Sequence, residues 1–114
     1  MAQLGIVKHL VAYHGANKHS HNFKLELVFD GKVESDMVSG IDFHEVLPVI
    51  ENKLQELDGK YLKEVDGFGR ATVENIAIYF IRFLSDRFPI YSVTVWEDED
   101  RYACILKSDL VWNK

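Results

Sequence analysis

The spacing of apolar residues changes twice along this chain, and this change limits the folds that it can adopt. Residues 22–30 alternate apolar and polar side chains, which is the period of a half-buried antiparallel strand. The apolar side of that segment holds Phe23, Leu25, Leu27 and Phe29. Residues 4–14, rich in Ile, Val and Tyr, predict a strand before it, and Asp30-Gly31 predicts a turn after it.

From Ile41 to Leu57 the apolar residues follow a helical repeat of i, i+3, i+4 and i+7. Asp42 has the position of an N-cap, but Pro48 fits best at a first helical position and predicts that the regular helix starts near Leu47. Thr72 is a good N-cap for a second helix. That helix carries apolar residues outside its core stripe, which predicts that it is sandwiched or lies at a subunit interface: Ile78, Tyr79, Ile81 and Phe83.

Alternation returns in residues 90–97 and 101–106, on either side of the charged turn 98–100. The order β-β-α-α-β-β predicts an α+β fold with a four-stranded antiparallel sheet and both helices on one face. With 114 residues and no repeat or linker, the chain is expected to form a single domain over residues 1–114.

The composition excludes several classes of function. The net charge of −5 and the lack of a basic run argue against binding to nucleic acid or to an anionic membrane. No apolar run approaches the roughly 20 residues of a membrane span. Lys8 and His9 interrupt the apolar N-terminal segment, which argues against a signal peptide. The single cysteine excludes an internal disulfide. We therefore expect a cytoplasmic protein.

The histidines are the most informative residues, because four of the five lie between positions 9 and 21. His19 and His21 project to one face of a strand, in phase with Phe23. His14, before a short turn, can fold back to supply a third nitrogen, and three histidines with an open position form the ligand set of a catalytic zinc. The alternative is a group of solvated histidines at a strand end. His9 has the other strand parity and is expected to be an ordinary residue, and His44, near a helix start, is expected to be a surface or capping residue.

The chain also resembles the 6-pyruvoyl-tetrahydropterin synthase family, which includes 6-carboxytetrahydropterin synthases. Segments across nearly the whole chain match the family's HGHNY, DF, LDH, TxEN and VWE motifs in order: His19 to Phe23, Ile41 to Phe43, Leu57-Asp58, Thr72 to Asn75, and Val95 to Glu97. The resemblance implies the tunnelling fold, in which trimers close a barrel and are usually doubled into hexamers. A homotrimer or homohexamer is therefore expected.

The resemblance further implies roles for single residues. His14, His19 and His21 would bind zinc, Glu97 would anchor the pterin, and Thr72 would lie near the same pocket. Without the resemblance, Glu97 is a solvated acid at a hairpin and Thr72 a plain N-cap. The chain lacks the cysteine that the family's synthases carry before the HxH motif, and Gly59 stands where their catalytic histidine follows Asp58. Asp58 is then the one named candidate for acid or base catalysis.

Three functions remain open at this point. The first is a zinc-dependent lyase that acts on the side chain of a 7,8-dihydropterin such as dihydroneopterin triphosphate and gives 6-hydroxymethyl-dihydropterin. Family members without the cysteine are associated with this cleavage. The second is a 6-pyruvoyl or 6-carboxy synthase with a rebuilt proton relay. The third is a non-catalytic homologue that binds pterin and metal.

Overall fold

A computed structural model describes residues 2–110 of the chain. Strands β1 (Ala2–His14), β2 (His19–Glu34) and β3 (Met37–Ser39) come first, and helices α1 (Phe43–Leu57) and α2 (Val73–Ser85) follow. Strands β4 (Ile90–Asp98) and β5 (Arg101–Leu106) complete the sheet, and short 3₁₀ turns lie at 62–64 and 107–109. The predicted order of strands and helices is confirmed, with β3 as an addition.

The sheet is antiparallel in the order β1-β2-β4-β5, and β3 pairs with β2. The turn predicted at Asp30-Gly31 is wrong, because β2 continues through both residues to Glu34. The chain reverses instead at Ser35 and Asp36, whose φ angles of 49° and 69° are those of a two-residue hairpin turn. The absence of a side chain at Gly31 lets β3 pack closely against β2, because a Cβ there would lie 2.7 Å from the Ser39 carbonyl oxygen.

Helix α1 begins at Phe43, so the start predicted near Leu47 is also wrong. The Asp42 side chain accepts from the backbone N–H of His44 at 2.8 Å, and this cap fixes the first turn. Burial of Val46 and Ile50 against the sheet continues the helix through Pro48, which costs one backbone hydrogen bond. Packing of the apolar face therefore outweighs the local preference of proline.

The core lies between the helices and one face of the sheet. Four fully buried residues of β2 lie on that face: Phe23, Leu25, Leu27 and Phe29. The surplus apolar residues of α2 are largely covered within the chain: Ile81 is fully buried, and Tyr79 stacks on Phe68 with ring centroids 4.0 Å apart. The other three residues, Ile78, Tyr79 and Phe83, are half-buried, so a position of α2 at a subunit interface stays a prediction.

Several strands of the sheet carry exposed apolar side chains, among them Val33 at the end of β2. Val7, Val11 and Tyr102 are 55%, 44% and 57% exposed. Strands β1 and β5 also form the two edges of the sheet, and exposed apolar side chains on edge strands are typical of surfaces that pair with another chain. None of the helices in residues 2–110 has the length and apolar character that a membrane crossing requires.

Candidate metal centre

The β1–β2 hairpin brings three histidines together at one end of the sheet. His14 is directly opposite His19 in the strand register, and Ala12 is opposite His21. The strand period places all three imidazoles on the helix-covered face, in phase with buried Leu10 and Phe23. A tight turn over residues 15–18 joins the two strands and brings His14 and His19 together.

The three imidazole rings form a compact triangle. Ring centroids are 4.5 Å apart for His14 and His19, 5.0 Å for His14 and His21, and 4.9 Å for His19 and His21. His14 Nε2 lies 3.3 Å from His21 Nδ1. The fully buried ring of Phe23 packs against both His14 and His21 and forms the apolar floor of the cluster.

Glu97 brings a carboxylate to the same place from β4. Its Oε1 lies 3.5 Å from His14 Nε2 and 3.8 Å from His21 Nε2. Glu97 has the strand parity of the buried core residues of β4, which directs it to the same face as the histidines. A bulge between Trp96 and Asp98 leaves it without a partner in β5. Asp98 also approaches His21 Nε2, at 3.8 Å.

His14 is the most firmly held of the three histidines. It is 7% exposed, and its Nδ1 lies 3.1 Å from the carbonyl oxygen of Ala71. A carbonyl can only accept, so Nδ1 carries the hydrogen and Nε2 keeps its lone pair toward the cluster. Burial is the main cause that lowers the pKa of His14. The hydrogen bond to Ala71 acts in the opposite direction and raises this pKa. The neighbouring His19 and His21 lower it further, and the carboxylate of Glu97 raises it. The lowered pKa favours the neutral imidazole, which is the form that binds metal.

The Ala71 carbonyl is a functional group that sequence reasoning missed. Ala71 is fully buried and has φ 54°, an unusual value for a residue with a side chain. It directly precedes Thr72, which caps α2 by accepting from the Asn75 N–H at 3.2 Å. The left-handed turn into α2 thus aims a backbone oxygen at His14. A backbone acceptor leaves no signal in the residue type, so no sequence pattern could have revealed it.

The cluster fits a metal ion. One donor atom each from His14, His19, His21 and Glu97 can be chosen so that all lie within 4.8 Å of one another. Imidazole nitrogen and carboxylate oxygen are donors that Zn²⁺ accepts, and a carbonyl that orients a ligating histidine is the usual outer support of such a site. The structure brings the three predicted histidines together and adds Glu97 to the group.

Other predicted residues lie apart from the cluster. Asp58 ends α1 as an exposed C-cap, and it makes none of the contacts that join the histidines and Glu97 within residues 2–110. Thr72 is exposed but follows the residue that bonds to His14. His9 pairs with Asn22 at 3.1 Å, on the other strand parity, and His44 lies in the exposed first turn of α1.

Comparison with known proteins agrees with this description. Residues 7–108 match the family model described as 6-pyruvoyl tetrahydropterin synthase. A relative from Pyrococcus furiosus, named dihydroneopterin monophosphate aldolase, is 27% identical over 86 residues, which cover 72% of each chain. The 6-pyruvoyl tetrahydropterin synthase of Caenorhabditis elegans superposes with a TM-score of 0.81 at 22% identity, over 92% of this chain and 94% of that one. The family match covers most of the chain, and the chain belongs to the 6-pyruvoyl tetrahydropterin synthase family.

Proposed function

We propose that the protein is a zinc-dependent lyase that cleaves the side chain of a 7,8-dihydropterin, such as dihydroneopterin triphosphate, and gives 6-hydroxymethyl-dihydropterin. The observation that carries the proposal is the cluster of His14, His19, His21 and Glu97. Membership of the family supports a pterin substrate, and the aldolase named among its relatives supports cleavage of the side chain.

The proposed cleavage requires one proton to leave the C2′ hydroxyl and another to be added at C1′. In an aldol cleavage the C2′ hydroxyl loses its proton and becomes the carbonyl of the departing two-carbon fragment. The C1′–C2′ bond breaks, its electrons enter the dihydropterin ring, and C1′ then takes up a proton. A zinc ion held by His14, His19 and His21 would supply Lewis acidity to the side-chain hydroxyls. The chain itself must then supply an acid, a base and a pterin anchor.

Glu97 is our candidate for the pterin anchor. A carboxylate can accept two parallel hydrogen bonds, from the ring N–H and from the exocyclic amine of a pterin. Its Oε1 faces the histidines at 3.5 to 3.8 Å. A pterin bound there would present its side chain next to the metal ligands. Thr72, beside the carbonyl that holds His14, is the second proposed contact to the substrate.

Asp58 is the candidate for proton transfer, but it lies apart from the histidines of its own chain. With Gly59 after it, Asp58 has no adjacent histidine and would act alone or through a water molecule. Its exposed position at the end of α1, beside edge strand β1, suits a role in the site of a neighbouring copy. The proposed pocket therefore lies at a subunit boundary and would bind one pterin per site.

We predict that the chain assembles into a trimer or a hexamer through the edges of its sheet. Edge strand β5 and the part of β1 before Val11 are available for pairing, and Val7, Val11 and Tyr102 leave apolar surface exposed. Closing several sheets edge to edge would pair these edges and cover this apolar surface. We expect light scattering at micromolar concentration to give the mass of a trimer or a hexamer. A clean monomer would contradict both the barrel and the shared pocket.

A non-catalytic homologue is the second candidate, and a specific observation favours it: Gly59 replaces the family's catalytic histidine, and no cysteine lies among residues 13–18. The buried histidine argues against this candidate. Polar groups on a core face cost free energy, and His14 is nevertheless kept there, buried and hydrogen-bonded to Ala71. Incubation of the zinc-loaded protein with dihydroneopterin triphosphate, and identification of the products by mass, separates the two candidates.

A further inference from the structure

The turn over residues 15–18 connects two of the proposed zinc ligands, so its shape determines how His14 and His19 meet. Its closing hydrogen bond runs from the Lys18 N–H to the Gly15 carbonyl oxygen, at 3.2 Å. Gly15 has φ 86°, and a Cβ there would lie 2.7 Å from His19 Cε1 and 3.0 Å from its Nδ1. The imidazole of His19 therefore lies directly over the backbone of Gly15.

His19 has few supports apart from this turn. His14 is buried and bonded to Ala71, and His21 stacks on Phe23 with centroids 5.6 Å apart. His19, in contrast, is exposed, and its ring contacts the other two histidines and Gly15. Whatever fixes the turn consequently fixes the position of this ligand.

The segment after α1 reaches back to this turn. Its backbone binds the free edge of β1 through two hydrogen bonds, from the Gly59 N–H to the Val11 oxygen and from the Tyr13 N–H to the Lys60 oxygen, both 2.8 Å. The next residue, Tyr61, is half-buried and donates its hydroxyl hydrogen to the Gly15 carbonyl oxygen at 2.6 Å. This is a short bond to the same acceptor that closes the turn.

A cation strengthens the same arrangement. Lys18 Nζ lies 5.3 Å from the ring centroid of Tyr61 and 5.6 Å from that of Tyr13. Tyr61 thus contacts the turn at both of its ends, at Gly15 through the hydroxyl and at Lys18 through the ring. His14 directly precedes Gly15, and His19 directly follows Lys18.

We propose that Tyr61 is a positioning residue for the metal centre, whose hydroxyl fixes the 15–18 turn and thereby holds His19 in place against His14. The proposal rests on the proposed metal-binding function of these histidines. Tyr61 would thus support metal binding indirectly, through the turn and His19, without contacting the ion itself.

The test compares Tyr61→Phe with Tyr91→Phe, an exposed tyrosine at the opposite end of β4 from Glu97. Phenylalanine keeps the ring beneath Lys18 and removes only the hydroxyl. We expect the dissociation constant for Co²⁺, read from its visible absorption, to rise roughly two- to tenfold in Tyr61→Phe, the usual worth of one hydrogen bond, and to stay at the parent value in Tyr91→Phe. Thermal unfolding of the metal-free proteins shows whether both variants are folded.

A second readout needs no metal. The five histidines give a small set of imidazole Cε1–H signals in proton NMR. In metal-free Tyr61→Phe the His19 signal should shift and that of His44 should not. If the parent binds no Co²⁺, the proposed metal site fails, and the His19 signal still decides whether Tyr61 positions that ring. An unchanged His19 signal and an unchanged Co²⁺ affinity would overturn the proposal for Tyr61.

A second pair of variants tests the turn without touching Tyr61. Gly15→Ala and Gly40→Ala both place a side chain at positive φ, 86° and 102°, but only at Gly15 would the new Cβ clash with a neighbour, the His19 ring at 2.7 Å, while at Gly40 the nearest atom is 3.6 Å away. We expect Gly15→Ala to weaken Co²⁺ binding on the order of tenfold, as loss of an outer support does, and Gly40→Ala, far from the turn, to keep the parent affinity. Equal affinities in these two variants would show that the turn does not set the position of His19.

Discussion

Replacing His19 and His21 together by alanine should reduce the bound zinc from about one ion per chain, the stoichiometry of a three-histidine open site, to almost none. The double variant removes two of the three imidazoles and leaves His14 with Glu97, which cannot complete a tetrahedral site. Metal analysis of the purified proteins by mass spectrometry measures the effect directly.

The matched control for this experiment is the double variant His9→Ala, His44→Ala. It removes the same number of imidazoles from exposed positions outside the cluster, so it should keep the parent zinc content. If instead the His19→Ala, His21→Ala protein retains its zinc, the metal site lies elsewhere in the chain.

Changing Glu97 to glutamine should weaken the binding of a dihydropterin by roughly ten- to a hundredfold, the worth of charge-assisted hydrogen bonds, while zinc stays bound. The amide keeps the shape of the carboxylate but presents a donor where the pterin also donates. Calorimetry with a dihydropterin gives the affinity, and metal analysis of the same sample gives the zinc content.

Glu99→Gln is the control for Glu97, because Glu99 is an exposed acid on the same hairpin and changes the net charge equally. Pterin affinity should be the same as in the parent protein. Two results would contradict the assigned role: an unchanged pterin affinity in Glu97→Gln, or a loss of zinc, which would make Glu97 a metal ligand rather than an anchor. Its position 3.5 Å from His14 Nε2 makes this distinction necessary.

Much of the fold was predictable because the apolar period changes with the type of secondary structure. The alternation around Phe23 and Leu25 and the helical repeat after Ile41 reflect which side chains enter the core, and burial determines both. The errors fall where a local preference competes with packing. Pro48 is carried within α1 by the buried face of that helix, and Gly31 gives room to β3 rather than a turn.

The candidate site was predictable to the extent that strand parity determines it. His14, His19 and His21 share one parity across a single hairpin, so their meeting follows from the register. The contributions of Ala71, Gly15 and Tyr61 could not be read from the sequence. They are made by backbone atoms and by a contact between residues 46 positions apart, and no residue type or spacing encodes such a contact.

The most direct test of the proposed lyase is a single incubation. Zinc-loaded protein is mixed with dihydroneopterin triphosphate, and the products are identified by mass, with a metal-free sample and the His19→Ala, His21→Ala variant in parallel. We expect 6-hydroxymethyl-7,8-dihydropterin and a phosphorylated two-carbon aldehyde from the zinc-loaded parent alone. A product that keeps all the carbon atoms of the side chain, or bound pterin without turnover, would contradict the account.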